Sequence, residues 1–143
     1  MMKVRKISTD EELKQAFQIR NEVFVQEQQV APEEEYDKYD STAAHYLAYD
    51  DKNTACGTAR WRKTGSGIKL ERFAVLKSYR GQGVGASILQ QMLVDIDQSE
   101  WTNQAIYLHA QITAIPFYER FGFEKVGDEF EECTIKHYKM IRG

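Results

Sequence analysis

At 143 residues, with 42% hydrophobic and 29% charged side chains, the chain has the length and apolar content of one globular domain, which excludes a disordered segment. A net charge of −3 gives no global electrostatic reason to bind nucleic acid. Two cysteines outside any CxxC pair, no cluster of histidines, no apolar h-region and no apolar run of membrane-spanning length argue against a metal site, a disulfide framework, a signal peptide and a membrane partner, and favour a reduced cytoplasmic setting.

KVRKIS (3–8) predicts a first strand. Thr9 and Glu12 stand at capping-box spacing, and Leu13, Phe17, Val23 and Phe24 behind them fall on one helical stripe. VAPEEEYDKYD (30–40) carries five acids against one lysine from position 33 onward, which predicts a loop. AHYLAYD (44–50), TACGTARWR (54–62) and IKLERFAVL (68–76) are rich in β-formers and separated by turn residues, the pattern of an antiparallel meander. RWRK (60–63), the densest basic patch, reads as a solvated strand end.

From Val84 the period changes. Val84, Ile88, Met92 and Ile96 recur every four residues, with Leu89 and Leu93 alongside, as in an amphipathic helix. AIYLHA (105–110) predicts a buried strand. A short helix follows at 113–120, with Pro116 tolerable in its first turn and Gly122 suited to its C-terminal end. FEKVG and KHYKMI predict two closing strands. The order describes a single α+β domain with a mixed sheet.

Between the meander and the long helix lies KSYRGQGVG. Glycine-rich strand-to-helix turns leave backbone N–H groups free at a helix N-terminus, so an anion is the expected guest. A P-loop needs Lys-Ser/Thr after its last glycine, and none follows. The dinucleotide fingerprint matches as Gly81, Gly83 and Ala86, but no acid ends the next strand and a meander precedes the match. The remaining pattern is R-x-x-G-x-G, met by Arg80, Gly83 and Gly85.

This pattern resembles the coenzyme A loop of the GNAT superfamily of acyl-CoA N-acyltransferases, and AIPFYERFGF (114–123) resembles that family's second signature. VFVQEQQV, the acidic run at Glu35, Asp37 and Asp40, His45 and the ending IKHYKM are similar to a bacterial ElaA-like branch. One departure is Gln111, where many relatives carry Asn. The resemblance implies one domain over 1–143, a mixed, mostly antiparallel sheet with central splayed parallel strands flanked by helices, and transfer of an acetyl group from acetyl-CoA to an amine.

The resemblance also implies site residues. The pantetheine arm would lie along Phe73, Ala74 and Val75 like an added strand. The pyrophosphate would take N–H groups of Gln82, Gly83, Val84, Gly85 and Ala86, beside Arg80 and Gly81. Gln111, Ala114, Phe117 and Tyr118 would complete the cofactor side, with Tyr118 as proton donor to the leaving sulfur. Glu71 is one candidate base, on strand parity with Phe73 if no bulge intervenes, and His137 another; Glu35, Asp37, His45 and His109 are rivals, and a water chain to several polar groups is the alternative to one dedicated base. Arg20, Arg60 and Arg72 would bind a carboxylate on the acceptor or be solvated. The acidic run suggests a negative cleft that attracts a cationic small molecule or a peptide amine. A non-catalytic acyl-CoA sensor and a homodimer stay open.

Overall fold

The computed structural model describes residues 2–142. In chain order its elements are β1 (Lys3–Lys6), α1 (Asp10–Arg20), a π-helical continuation (Asn21–Glu27), α2 (Pro32–Glu35), β2 (Ala44–Tyr49), β3 (Ala55–Thr64), β4 (Gly67–Val75), α3 (Val84–Asp97), β5 (Ile106–Gln111), α4 (Ile115–Glu119), β6 (Phe123–Glu132) and β7 (Ile135–Arg142).

The seven strands form one sheet in the order β1-β2-β3-β4-β5-β7-β6. The meander β1 to β4 is antiparallel throughout, as is β5-β7-β6. One parallel seam joins the two halves, through Ile68, Lys69 and Leu70 opposite Ile106, Tyr107 and Leu108. Alternation along the strands sends Ile68, Leu70, Leu108 and Ala110 to one face, where they pack with Ile88, Leu89 and Met92 of α3. On the other face α1 sets Ala16, Ile19 and Val23 against Leu47 and Ala74.

Local chemistry explains the helix ends. Thr9 Oγ1 accepts from the Glu12 N–H at 3.2 Å, and the Glu12 carboxylate accepts from the Thr9 N–H at 3.2 Å. Pro116 occupies the first turn of α4. Two readings need correction. The segment at 30–40 is not a plain loop, because Pro32 starts the short helix α2, a 3₁₀ turn follows at Lys38–Ser41, and Glu35 is only 3% exposed. The closing hairpin is also longer than FEKVG and KHYKMI: its strands meet at Cys133 and Thr134, both at positive φ, the turn geometry that matches strand twist.

β4 carries the feature that matters most for the site. Thr58 pairs with Ala74 and Arg60 with Glu71, so Ala59 alone faces Arg72 and Phe73. This is a β-bulge, with Arg72 at φ 61°. The extra residue reverses side-chain parity. Glu71 points to the α1 side, whereas Phe73 packs against the α3 side.

Candidate active site

Past Leu70 and Leu108 the two halves of the sheet part. The β4 edge from 71 to 75 and the β5 edge from 109 to 111 no longer pair with each other, and a cleft of ≈ 1060 Å³ opens there. The N-terminus of α3 stands at its mouth. Gly83 caps the helix at φ 80° and Gly81 sits at φ 79°. A Cβ on either glycine would meet no atom within 4 Å. Tight packing therefore does not explain these glycines. They hold a left-handed turn beside a bare helix end, where free N–H groups and the helix dipole favour a diphosphate. Unpaired strand edges suit an extended amide-bearing arm. The residues present thus fit coenzyme A.

Phe73, Val75, Gly81, Gly83 and Val84 line this cleft, as do Gly85, Ala86, Ala114, Phe117 and Tyr118. Ala74 and Gln82, expected on the cofactor side, do not line the cleft: the Ala74 side chain packs against the α1 side, and the Gln82 amide donates to the Ser78 carbonyl. Arg80 also lines it, and its guanidinium forks onto Glu27 at 2.6 and 2.7 Å while Nε donates to the Val75 carbonyl at 3.0 Å. Gln111 donates to Gln28 Oε1 at 2.9 Å. The π-helical segment and the residue after it thereby reach both walls of the cleft, a placement in keeping with π-helices at functional sites. Sequence reading gave neither Glu27 nor Gln28 a role. Their partners lie 53 and 83 residues away.

Tyr118 is 7% exposed and lies edge-on to Phe73, with centroids 5.7 Å apart, and to Phe117 at 5.0 Å. Its hydroxyl makes no hydrogen bond within the described residues. Burial raises its pKa, so the phenol keeps its proton at neutral pH.

The arginines and acids assigned to the acceptor are mostly spent on one another. Arg20 is 1% exposed and donates to Glu35 and Asp40, both at 2.6 Å. Arg60 is 0% exposed and reaches Asp37, Asp40 and Glu71 at 2.9, 2.6 and 3.1 Å. Neither lines the cleft, so neither is placed to bind an acceptor carboxylate. His45 also lies outside the lining: its Nε2 sits 2.8 Å from the Asp40 carbonyl, and burial lowers its pKa.

Glu35 and Asp37 do line the cleft, but Arg72 spans them, 3.3 Å from each. The acidic run is therefore a neutralised wall and not a free negative one. Burial opposes the charge of Asp37, yet hydrogen bonds and charge from Arg60 hold its carboxyl near 2. Burial pushes Glu35 the other way, up, against Arg20 and Arg72.

Glu71 lines the cleft and fails as a base for a related reason. Arg60 and Arg62 donate to it, and Lys69 Nζ lies 3.3 Å away. Burial opposes its charge, but these cations, Arg60 first, still bring its pKa below the ordinary value. A carboxylate so held accepts protons poorly.

The β5–β7 wall carries a different cluster. His109 Nδ1 lies 2.8 Å from Glu132 Oε2, and His137 Nε2 lies 3.8 Å from Glu132 Oε1. Phe130 stands edge-on to His109 and stacked on His137, at 5.0 and 5.9 Å. The hydrogen bond from His109 lowers the Glu132 pKa. All three titratable groups line the cleft. Glu132 escaped sequence reading because an acid near the end of a half-exposed strand has no local signature.

Comparison with known proteins agrees with this geometry. The family model described as "Acetyltransferase (GNAT) domain" matches residues 6–142. The chain is 38% identical over 142 residues to the "Uncharacterized N-acetyltransferase YjcF" of Bacillus subtilis (strain 168), covering 99% of both chains. It is 31% identical over 130 residues to "Protein ElaA" of Escherichia coli (strain K12), covering 87% of this chain and 83% of that one. Among solved structures, Escherichia coli ElaA superposes with a TM-score of 0.88 at 27% identity, covering 100% of both chains. An acyl-CoA N-acyltransferase from Pseudomonas aeruginosa superposes with a TM-score of 0.84 at 27% identity, covering 100% of this chain and 99% of that one.

Proposed function

Because the chain belongs to the GNAT acetyltransferase family, we propose that it transfers an acetyl group from acetyl-CoA to a primary amine of a small molecule or peptide. The observation that carries this reading is the wedge between β4 and β5, closed at its mouth by the glycine turn of α3 and flanked by a protonated Tyr118. Acetyl-CoA, when bound, supplies the thioester.

The chain's own residues do the rest. Backbone N–H groups at the start of α3 hold the diphosphate, which fixes the direction of the arm from the mouth toward the seam. At the bulge, backbone of Arg72 and Phe73 released from the ladder has N–H capacity that would polarise the thioester carbonyl. Tyr118, edge-on to Phe73, gives its proton to the departing sulfur. No helix among the described residues is long and apolar enough to cross a membrane, which suits a cytoplasmic enzyme.

Two measurements test the reading. Acetyl-CoA should raise the melting temperature, by linkage to the native state, and free thiol should appear when primary amines are added. Gly83→Val puts a branched side chain at a positive-φ turn facing the cradle, so it should abolish the thermal rise. A folded Gly83→Val protein with the parent's rise would refute the phosphate site.

A further inference from the structure

We propose that His109 is the general base that takes the proton of the acceptor amine, with Glu132 fixing its ring. The inference rests on the acyl-transfer reading above and supplies what that reading lacks. A primary amine is protonated at neutral pH and has no lone pair for attack until a base removes a proton.

Tautomer chemistry makes His109 a competent base, and its position and exposure select it over His137. A carboxylate only accepts, so His109 Nδ1, 2.8 Å from Glu132 Oε2, must carry the hydrogen. Nε2 then holds the lone pair, and it has no hydrogen-bond partner among the described residues. In His137, Nδ1 donates to the Ile135 carbonyl at 2.7 Å, and Nε2 faces the Glu132 carboxylate at 3.8 Å, beyond hydrogen-bond reach. His109 is also the first β5 residue past the seam, at the apex of the wedge. Its side chain is 24% exposed against 9% for His137, which gives a proton a route to water.

The step balances. An N–H bond of the ammonium breaks, and its proton goes to His109 Nε2. The freed lone pair forms the C–N bond, and the C–S bond breaks. Sulfur takes the Tyr118 proton, the second surplus proton on nitrogen restores that phenol, and His109 releases its own to solvent. Glu132 stabilises the imidazolium, as a positioning residue. His109 faces Glu132 from β6 and its own strand partner Lys139 from β7, while His137 from β7 and Lys69 from β4, the latter held by Glu71, bear on Glu132.

The test pairs two nucleophiles, benzylamine, protonated at neutral pH, and hydroxylamine, which is not. With acetyl-CoA, His109→Gln should lower benzylamine turnover by at least ~10²-fold and lower hydroxylamine turnover far less, measured above the enzyme-free rate. The parent's benzylamine rate should level off once the imidazole is neutral, whereas the variant's should keep climbing with pH. Glu132→Gln should give an intermediate loss and move the parent's acid limb. Nitrogen-15 spectra of the protein without acetyl-CoA should show His109 with hydrogen on Nδ1. Hydrogen on Nε2 overturns the assignment, as does His109→Gln matching the parent on benzylamine or losing both nucleophiles equally. If the parent turns over neither amine, the acyl-transfer reading falls and the base with it. If the parent is active and His109→Gln keeps pace, only the base falls.

Discussion

A phenol sealed from water resists ionisation, and Tyr118, 7% exposed among Phe73, Phe117 and Phe123, is such a phenol. Tyr118→Phe removes one hydroxyl and keeps the ring contacts. The expected outcome is a fall of roughly 10²-fold in kcat, with KM for acetyl-CoA and the melting temperature nearly unchanged. Equal kcat in the two proteins would reduce Tyr118 to a core aromatic. This residue was legible in sequence because its motif is local, as was the glycine turn at 81–85. Glu71 lines the cleft, but from the face opposite Phe73, where Arg60, Arg62 and Lys69 hold its carboxylate. Parity counting assumes an unbroken strand, and the bulge at Arg72, a non-glycine residue at φ 61°, breaks it without any glycine to announce it. His109 gained weight only when the sheet brought Glu132 to it across 23 residues of sequence.

At the scale of elements, the segment from α2 through Lys38–Ser41 shows what charge patterning cannot reveal. Its acids predicted a loop, and its placement predicted a negative cleft. Folding instead docks the segment onto α1 through Arg20 and onto the sheet through Arg60 and Arg72. The pairings span 15 to 37 residues, so no local window contains both partners. Removing one partner of a buried pair leaves uncompensated charge. Arg60→Ala should therefore cost about 3–5 kcal/mol in urea unfolding, whereas Arg80→Ala, which breaks a pair 39% exposed on both sides, should cost no more than ~1 kcal/mol. Similar losses in the two variants would refute the docking role. The same network sets an acid limit. The Asp37 carboxyl is depressed from 3.8 to about 2, so the stability it confers is present above pH ~4 and lost as pH falls through about 2. Asp37→Asn should flatten the stability curve between those values.

For the molecule as a whole, element order was legible because each period and turn signal was locally consistent, and that order already implied one parallel crossover within antiparallel neighbours. How far the parallel strands stay paired was not legible, since nothing in IKLERFAVL or AIYLHA marks the point of separation. The structure puts it at Leu70 and Leu108, so three residue pairs hold two half-sheets together beside an open wedge. Hydrogen exchange reads this division directly. Amides of the seam at 68–70 and 106–108 should be protected in the free protein. Wedge-facing amides within 71–75 and 109–111 lack a partner across the gap and should exchange fast. Acetyl-CoA lying in the wedge would bond to them and exclude water. At ligand near 100 times its Kd their exchange should slow by about 100-fold, while exchange in β1, at the far edge of the sheet, should follow only the global rise in stability. The contrast between wedge and far edge is the decisive quantity. If acetyl-CoA raises the melting temperature but slows exchange evenly across the sheet, it binds without entering the wedge, and the splayed strands are not its seat.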